Sequence, residues 1–191
     1  RHTRYIGDWS SDVCSSDLKM GAQIEGIGSN TLTIHGVERL HGVEHEIESD
    51  YLEIGSFMGL AAVTGSALTI NKVNPDNMRM IRMVFQRLGV STKMEGDKLY
   101  IPEEQTLEIQ PDYHGHVPRI DDAPWPAFPT DLMSIVITVA TQCKGTVLFF
   151  EKMFEGRMFF VDHLQNMGAQ IILCDPHRVV VAGPQTLRGG R

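Results

Sequence analysis

Cysteine is scarce in this chain, long apolar runs are absent, and basic residues are not in excess. Only three of the 191 residues are cysteines, and no two have the spacing of a Cys-x-x-Cys metal or redox motif. This usage favours a reducing, cytoplasmic setting over a disulfide-stabilised secreted one. No stretch approaches the roughly 18 apolar residues that a membrane-spanning helix needs. The net charge of −7 predicts no surface for nucleic acid or for an anionic membrane.

The first 18 residues differ in character from the rest of the chain. Residues 8–18 read as the translation of a common sequencing adapter, and residues 1–4 match the outer part of the same oligonucleotide. A natural polar N-terminal arm is the alternative. The segment has no apolar centre, so it does not have the form of a signal peptide. We therefore expect residues 1–18 to be a non-native leader and base the fold prediction on residues 19–191.

A repeated pattern of secondary structure organises the remaining residues. Three times a helical run ends at a glycine, the usual left-handed helix stop, and two short strands around a turn follow. These strand pairs are predicted over residues 21–34, 89–101 and 168–181. The last two copies are each preceded by a helix, a strand and a second helix, so an αβαββ unit occurs twice after the tail of a third. Units of this kind bury their apolar faces against one another.

The elements that precede the last two strand pairs follow from hydrophobic periodicity. Ahead of the middle pair we predict an apolar helix over residues 57–64, a strand over 67–70 and an amphipathic helix over 77–88. The first strand of the middle pair itself is predicted over 89–92. Ahead of the last pair we predict a buried helix from Asp131, a strand over 146–150 and a helix ending at Met167. Residues 102–118 are rich in Pro, Glu, Gln and Gly, which is typical of an exposed connection.

The segment Trp-Pro-Ala-Phe-Pro-Thr-Asp, residues 125–131, carries the most functional information. Its two prolines stiffen it, because proline fixes φ and favours an extended residue before it. Residues 132–140 follow directly and are apolar nearly all round, which is typical of a buried helix. Thr130 and Asp131 stand at the helix start, where a side-chain oxygen can cap the first amide groups. The residues alone leave two interpretations of Asp131, a helix cap or a carboxylate held rigidly at the mouth of a site.

Several separated motifs, in the same order, resemble those of the UDP-N-acetylglucosamine enolpyruvyl transferase family. They lie at residues 20–24, 36–40, 126–131, 154–157 and 161–164. The likeness implies an α/β (α+β) fold in which αβαββ repeats form inside-out α/β barrel lobes, incomplete in this chain. Residues 19–48 would end the first lobe, and residues 49–191 would form most of the second, sugar-nucleotide lobe after a hinge near residues 49–50. One compact α+β domain without a hinge is the alternative.

The resemblance also implies a reaction, the transfer of enolpyruvyl from phosphoenolpyruvate to the 3′-hydroxyl of UDP-N-acetylglucosamine, which is the first committed step of peptidoglycan synthesis. It implies a monomeric cytoplasmic enzyme with no cofactor or metal and with neither nucleic acid nor membrane as partner. The family's acid cysteine and its phosphoenolpyruvate-binding lysine belong upstream of residue 19, so we expect this chain alone to be inactive.

Two other functions stay open at this point. One is an enolpyruvyl transferase acting on shikimate phosphate with the same fold, although the motifs at residues 126–131 and 154–157 argue against it. The other is a non-catalytic paralogue that binds the sugar nucleotide as a sensor. An acid cysteine and a lysine in the upstream reading frame would favour catalysis over the sensor.

The resemblance places five residues at the site. A sugar hydroxyl is a poor nucleophile, and Asp131 would take its proton or orient it. Thr130 would assist through its hydroxyl or only cap the helix. Met153 and Phe154 stand where the family's main chain approaches the uridine nucleotide, with an ordinary core methionine as the alternative. Arg157 suits the recognition of an anion or a carboxylate, although a surface ion pair is equally compatible with its position.

The other chemistry-bearing residues are predicted to be structural or solvent-facing. His114 and His116 form a pair without a third metal ligand. Cys143 and Cys174 have no histidine directly adjacent in the sequence to activate them. Gly156 stands where many family members have asparagine, which weakens detailed predictions for the loop that contains Arg157.

Overall fold

The computed structural model describes residues 2–4, 12–27, 29 and 31–189. Their backbone contacts divide them into two compact units, and each unit is described by itself. One unit contains the described residues up to Glu48 together with Pro124–Pro126, and the other contains Ser49–Ala123 and the described residues from Ala127 onward. The assignment of residues 19–48 and 49–191 to two lobes of an enzyme stays a prediction.

The smaller unit contains a three-stranded antiparallel sheet and one helix. In chain order its elements are β1 (His2–Arg4), α1 (Asp12–Lys19), β2 (Gln23–Glu25) and β3 (Leu32–His35). β3 lies in the middle and pairs with both other strands. The strand pair predicted over residues 21–34 is confirmed, although turn residues 28 and 30 lie outside the described part of the chain.

The expected leader is only partly described. Residues 2–4 form β1 and residues 12–18 form most of α1, in which Cys14 is buried. Residues 1 and 5–11 lie outside the described residues. The non-native origin of residues 1–18 stays a prediction.

The larger unit begins with the first complete αβαββ repeat. In chain order its elements are α2 (Tyr51–Thr64), β4 (Leu68–Ile70), α3 (Pro75–Arg87), β5 (Lys93–Glu95) and β6 (Lys98–Ile101). β6 lies in the middle of an antiparallel sheet, between β4 and β5. The order of elements predicted from the glycine pattern is therefore confirmed in this repeat.

The start of α2 differs from the prediction. The helix begins at Tyr51 rather than at residue 57. The Asp50 carboxylate accepts a 2.7 Å hydrogen bond from the Leu52 amide, which caps an earlier first turn. We missed this cap because residues 51–56 are less apolar than the stretch that follows them.

The start of β5 also differs, because residues 89–92 contact the connection between the repeats. Gly89 has a φ of +86°, and a Cβ atom there would lie 2.2 Å from the Thr106 carbonyl oxygen. Only glycine permits so close an approach of two backbones. The Ser91 amide donates to the Gln105 side chain (2.7 Å) instead of to a neighbouring strand. The connection predicted over residues 102–118 is mostly exposed, as expected, but it buries Ile109.

The second complete repeat has the same order of elements, preceded by one extra strand. Its elements are β7 (Arg119–Asp121), α4 (Met133–Ala140), β8 (Gly145–Phe150), α5 (Val161–Asn166), β9 (Gln170–Asp175) and β10 (Arg178–Gly183). β10 lies between β8 and β9, which repeats the arrangement of the first sheet. β7 pairs in parallel with the other side of β8, and we did not predict it.

The core of the larger unit lies between these helices and sheets. α2 contacts both α3 and α4, and α4 contacts β8 and β10. The largest fully buried side chains include Phe85, Phe128 and Phe149. The predicted α/β (α+β) class is confirmed, and the described strands form open sheets rather than a closed barrel. None of the described helices combines the length and the apolar character needed to cross a bilayer.

Candidate active site

Asp131 lies in a tight turn between an extended segment and a buried helix. In this Asp131 turn (residues 129–132), Pro129 is extended with φ −70° and ψ 134°, and Thr130–Leu132 form one turn of 3-10 helix before α4. Leu132 is fully buried and anchors the turn from inside. Neither Thr130 nor Asp131 caps the helix through its side chain, so the capping alternative is wrong for both residues. Each side chain has another partner.

The Thr130 side chain faces the protein interior. It is buried, and its Oγ1 donates a 2.5 Å hydrogen bond to Oδ2 of the equally buried Asp122. A hydroxyl has only one proton to donate, so this bond uses the whole donor capacity of Thr130. The bond also ties the turn to Asp122. The role of Thr130 in substrate binding stays a prediction.

The Asp131 side chain faces solvent and is paired with Arg157. Its side chain is 55% exposed, and its Oδ1 lies 2.5 Å from Nη1 of Arg157. Asp131 and Arg157, which are 26 positions apart, were predicted as site residues for separate reasons. A carboxylate can accept about four hydrogen bonds, so one contact with Arg157 leaves capacity for a ligand hydroxyl.

Arg157 is also held by an aromatic side chain. Its guanidinium carbon lies 4.8 Å from the centre of the Phe154 ring, a distance typical of a cation–π contact. The Phe154 side chain is 50% exposed, so this stacked pair lies at the surface. An Asp-Arg-Phe group open to solvent can accept a proton from one ligand group and bind an anionic one.

Met153 and Phe154 follow β8 in the Arg157 loop (residues 152–157). Their main-chain N–H groups donate to Oε1 of Glu151, at 2.9 Å and 3.1 Å. These two amides therefore hold the loop in place. The contact of the Met153 main chain with a nucleotide stays a prediction. The Met153 side chain is 36% exposed, so it is not an ordinary core methionine.

Gly156 has the left-handed backbone conformation, with a φ of +78°. A Cβ atom there would lie 2.9 Å from the Phe159 ring. Asparagine is the non-glycine residue that most often adopts this conformation. Glycine at this position is therefore compatible with the loop shape that asparagine would adopt.

Two buried carboxyl groups, Asp122 and Glu151, lie beneath these residues, and sequence reasoning missed both. Each follows the last residue of a parallel strand, Asp122 after β7 and Glu151 after β8, and neither is exposed. Asp122 accepts from Thr130, as described above, and also from the Lys152 amide (2.5 Å). The sequence did offer a signal, an acidic residue directly after an apolar strand. That signal indicates a carboxyl pair only if β7 lies beside β8, and we had not predicted β7.

The environment of this carboxyl pair (Asp122 and Glu151) disfavours a second negative charge. Burial, and then contact with Asp122, raises the pKa of Glu151 to about 7, although the Met153 and Phe154 amides act in the opposite direction. Glu151 Oε2 is buried and has no hydrogen-bond donor among the described residues. A proton between Oε2 and Asp122 satisfies both observations.

The other candidates remain outside this site. Cys143 is fully buried, and burial raises the pKa of its thiol to about 12, which is consistent with a structural residue. Cys174 is exposed. The rings of His114 and His116 lie 6.5 Å apart. Within the part of the chain that the structure describes, no three His, Cys, Asp or Glu side chains are grouped as metal ligands would be.

Curated relatives resemble this chain closely over part of their length. Three of them are named UDP-N-acetylglucosamine 1-carboxyvinyltransferase and come from Bradyrhizobium diazoefficiens (56% identical), Treponema denticola (55%) and Borrelia garinii (54%). Each match spans 178 residues, 93% of this chain. The chain spans about two fifths of the relatives' length, 41% to 42%. These names confirm the resemblance that the motifs indicated.

A solved structure shows the fold, and a family model shows the family. The enolpyruvyl transferase NikO from Streptomyces tendae superposes with a TM-score of 0.74 over 95% of this chain and 42% of that one. At 21% sequence identity this likeness shows the fold alone. A model of the family described as EPSP synthase (3-phosphoshikimate 1-carboxyvinyltransferase) matches residues 18–190. The chain therefore belongs to the EPSP synthase (3-phosphoshikimate 1-carboxyvinyltransferase) family.

Proposed function

We propose that this chain is part of an enzyme that transfers enolpyruvyl from phosphoenolpyruvate to the 3′-hydroxyl of UDP-N-acetylglucosamine, the first committed step of peptidoglycan synthesis. The names of relatives that are 50–56% identical support this substrate. The solvent-facing Asp131 carboxylate, on a turn fixed by Leu132 and Thr130, carries the proposal for this chain's own residues.

Asp131 acts on the sugar hydroxyl in this proposal. As the hydroxyl oxygen bonds to the central carbon of the enolpyruvyl group, its proton must move to a base within hydrogen-bond reach. The carboxylate of Asp131 either accepts this proton or orients the hydroxyl for another base. Phosphate leaves from the same carbon of the donor in the overall reaction.

Arg157, Phe154 and Met153 bind substrate in this proposal. Arg157 carries a permanent positive charge beside Asp131 and binds an anionic group, a phosphate or a carboxylate. The exposed ring of Phe154 stacks on the guanidinium and keeps it oriented. The Met153 main chain contacts the uridine nucleotide, and Thr130 contributes by fixing Asp131 rather than through a free hydroxyl.

The proposal extends to the parent polypeptide. Residues 19–48 end one lobe and residues 49–191 form most of the other, while the acid cysteine and the phosphoenolpyruvate-binding lysine belong to the remainder. Turnover therefore requires the parent, and closure of the two lobes excludes water from the reaction. The parent is a cytoplasmic monomer in this proposal, which size-exclusion chromatography and cell fractionation test.

Asp131→Asn in the parent enzyme tests the role of Asp131. Because general-base catalysis contributes about 10²- to 10⁴-fold, we expect kcat to fall by that factor while UDP-N-acetylglucosamine binding, measured by calorimetry, changes little. Asp162→Asn is the matched control, since it removes the same charge from an exposed position in the first turn of α5. Undiminished phosphate release in Asp131→Asn would eliminate the catalytic role.

Shikimate 3-phosphate is the alternative acceptor, because the matching family model carries the name of the enzyme that uses it. Parallel phosphate-release assays with the two acceptors decide between them. We expect turnover with UDP-N-acetylglucosamine and none with shikimate 3-phosphate. Binding of UDP-N-acetylglucosamine without any turnover by the wild-type parent would identify a non-catalytic sensor instead.

A further inference from the structure

Asp122 and Glu151 are brought together by strand pairing. In the parallel ladder of β7 and β8 the last pair is Asp121 with Phe150, so the next residue on each strand is one of the two carboxylic acids. The Asp122 amide continues the ladder with a 3.4 Å bond to the Phe150 carbonyl oxygen. Both acids have no solvent-exposed surface. The pair therefore lies at the carboxyl ends of two neighbouring strands, directly below the candidate active site.

Each acid accepts hydrogen bonds from a different part of the site. Asp122 accepts from the Thr130 hydroxyl, next to Asp131, and from the first amide of the Arg157 loop. Glu151 accepts from the next two amides of the same loop through one oxygen, Oε1. Its other oxygen, Oε2, is buried and receives no hydrogen bond from the residues that the structure describes. The pair thus connects the Asp131 turn to the Arg157 loop through four donors.

The surrounding side chains do not neutralise a negative charge on both Asp122 and Glu151. In the described part of the chain neither acid has a lysine or arginine partner. The nearby charged side chains pair with one another instead: Lys152 and Arg119 with Asp121, Arg157 with Asp131, and Arg178 with Asp175. His177 lies beside the pair, with Nδ1 2.9 Å from the Glu151 carbonyl oxygen. Two adjacent buried carboxylates without a cation retain a proton more readily than exposed ones, because desolvation and mutual repulsion both disfavour the second charge.

We infer that Asp122 and Glu151 are positioning residues, which share one proton as a buried pair and thereby hold the Asp131 turn against the Arg157 loop. In this state Glu151 Oε2 donates to Asp122, and the single negative charge is stabilised by the four donors. Loss of the proton leaves two adjacent buried anions, and their repulsion separates the turn from the loop. The inference rests on the proposed function in one respect only, namely that Asp131 on the turn and Arg157 on the loop act on substrate.

NMR spectroscopy of the full 191-residue chain tests the shared proton without any substrate. Isotope-labelled carboxyl groups and amides are followed from about pH 5 to about pH 9. We expect the Glu151 carboxyl and the amides of Met153 and Phe154 to titrate together, with one midpoint within about one unit of pH 7. A Glu151 carboxyl that is already ionised at about pH 5 overturns the inference.

Asp122→Asn isolates the effect of the partner acid. Without the neighbouring charge, the Glu151 midpoint should fall by more than about one pH unit. An unchanged midpoint overturns the inference. Glu151→Gln is the second variant, because its amide can donate to Asp122 as the protonated acid does. In that variant the Met153 and Phe154 amides should keep their acid-form positions at every pH. The wild-type titration decides the question if neither variant folds.

His177→Gln is the control for the neighbouring imidazole, since histidine is the side chain that ordinarily titrates near neutrality. The common midpoint of the Met153 and Phe154 amides should persist in this variant. If the midpoint disappears, the titration belongs to His177 and the inference is wrong.

Assays on the parent enzyme separate this inference from the proposed function. We expect kcat/KM for UDP-N-acetylglucosamine to fall on the alkaline side of the pH profile, and Glu151→Gln to move that fall to higher pH. A parent that does not turn over this substrate refutes the proposed function and leaves the titration standing. A parent that turns over, with Met153 and Phe154 amides that do not titrate, refutes the inference alone.

Discussion

Replacement of Glu151 by glutamine should make the stability of the larger unit less sensitive to alkali. The pKa of Glu151 is about 7 in the folded chain, against an ordinary value of 4.5. Between these two values the folded state binds more protons than the unfolded state. The free energy of unfolding contributed by this group therefore falls as the pH rises through this window, and it levels off above about pH 7.

The size of this effect follows from the difference between the two pKa values. One pKa unit corresponds to about 1.4 kcal/mol, so the shift of Glu151 corresponds to roughly 3 kcal/mol. Glutamine has no proton to lose in this range. The free energy of unfolding of E151Q minus that of the wild type should therefore rise by roughly 3 kcal/mol between about pH 4.5 and about pH 8.

Urea denaturation followed by circular dichroism measures this difference, with the free energy of unfolding taken by linear extrapolation at several pH values. Groups that do not interact with Glu151 are the same in both chains, so their contributions cancel in the subtraction. Any constant cost of the substitution also leaves the slope unchanged. A difference that stays flat with pH, or one that falls as the pH rises, would refute the reasoning about the carboxyl pair.

Three further predictions concern backbone shape, charge and thiol reactivity. Gly89→Ala should lower the free energy of unfolding by more than about 2 kcal/mol because of its backbone clash, whereas Gly96→Ala, left-handed but in open space, should cost about 1 kcal/mol. Arg157→Lys should change that free energy by less than about 1 kcal/mol, because the ion pair it alters is exposed, and should weaken substrate binding in the parent. Alkylation followed by mass spectrometry should modify Cys174 rapidly and Cys143 only as the chain unfolds, because burial raises the pKa of the latter thiol to about 12. Large stability loss in Arg157→Lys, equal losses in the two glycine variants, or rapid modification of Cys143 would contradict these expectations.

The repeated αβαββ order could be predicted because its signals are local. Gly21, Gly89 and Gly168 each follow a helical run with a positive φ, and a pair of short strands comes after each of them. The predicted starts of helices and strands were less accurate where a side chain outside the predicted element determines where the element begins. Asp50 starts α2 six residues early, and Gln105 occupies the Ser91 amide.

The candidate site was predictable only where single residues carried a motif. Asp131, Arg157 and Phe154 were identified from motifs, and the structure brings them together. Their supporting carboxyl groups were not identified, because Asp122 and Glu151 are 29 positions apart and meet only through a parallel strand pair. The capping interpretation of Asp131, one of the two that the residues alone left open, was wrong for a similar reason, since the partner of its side chain, Arg157, comes from a distant loop.

The pairing of Asp131 with Arg157 has a consequence for ligand exchange. An exposed ion pair of this kind contributes only about 0–1 kcal/mol, so an incoming ligand can displace it at little cost. While the pair is intact, each side chain neutralises the other and restricts its motion, which reduces the entropy lost when a ligand associates. In the function proposed above, the guanidinium thus occupies the carboxylate until the substrate hydroxyl replaces it.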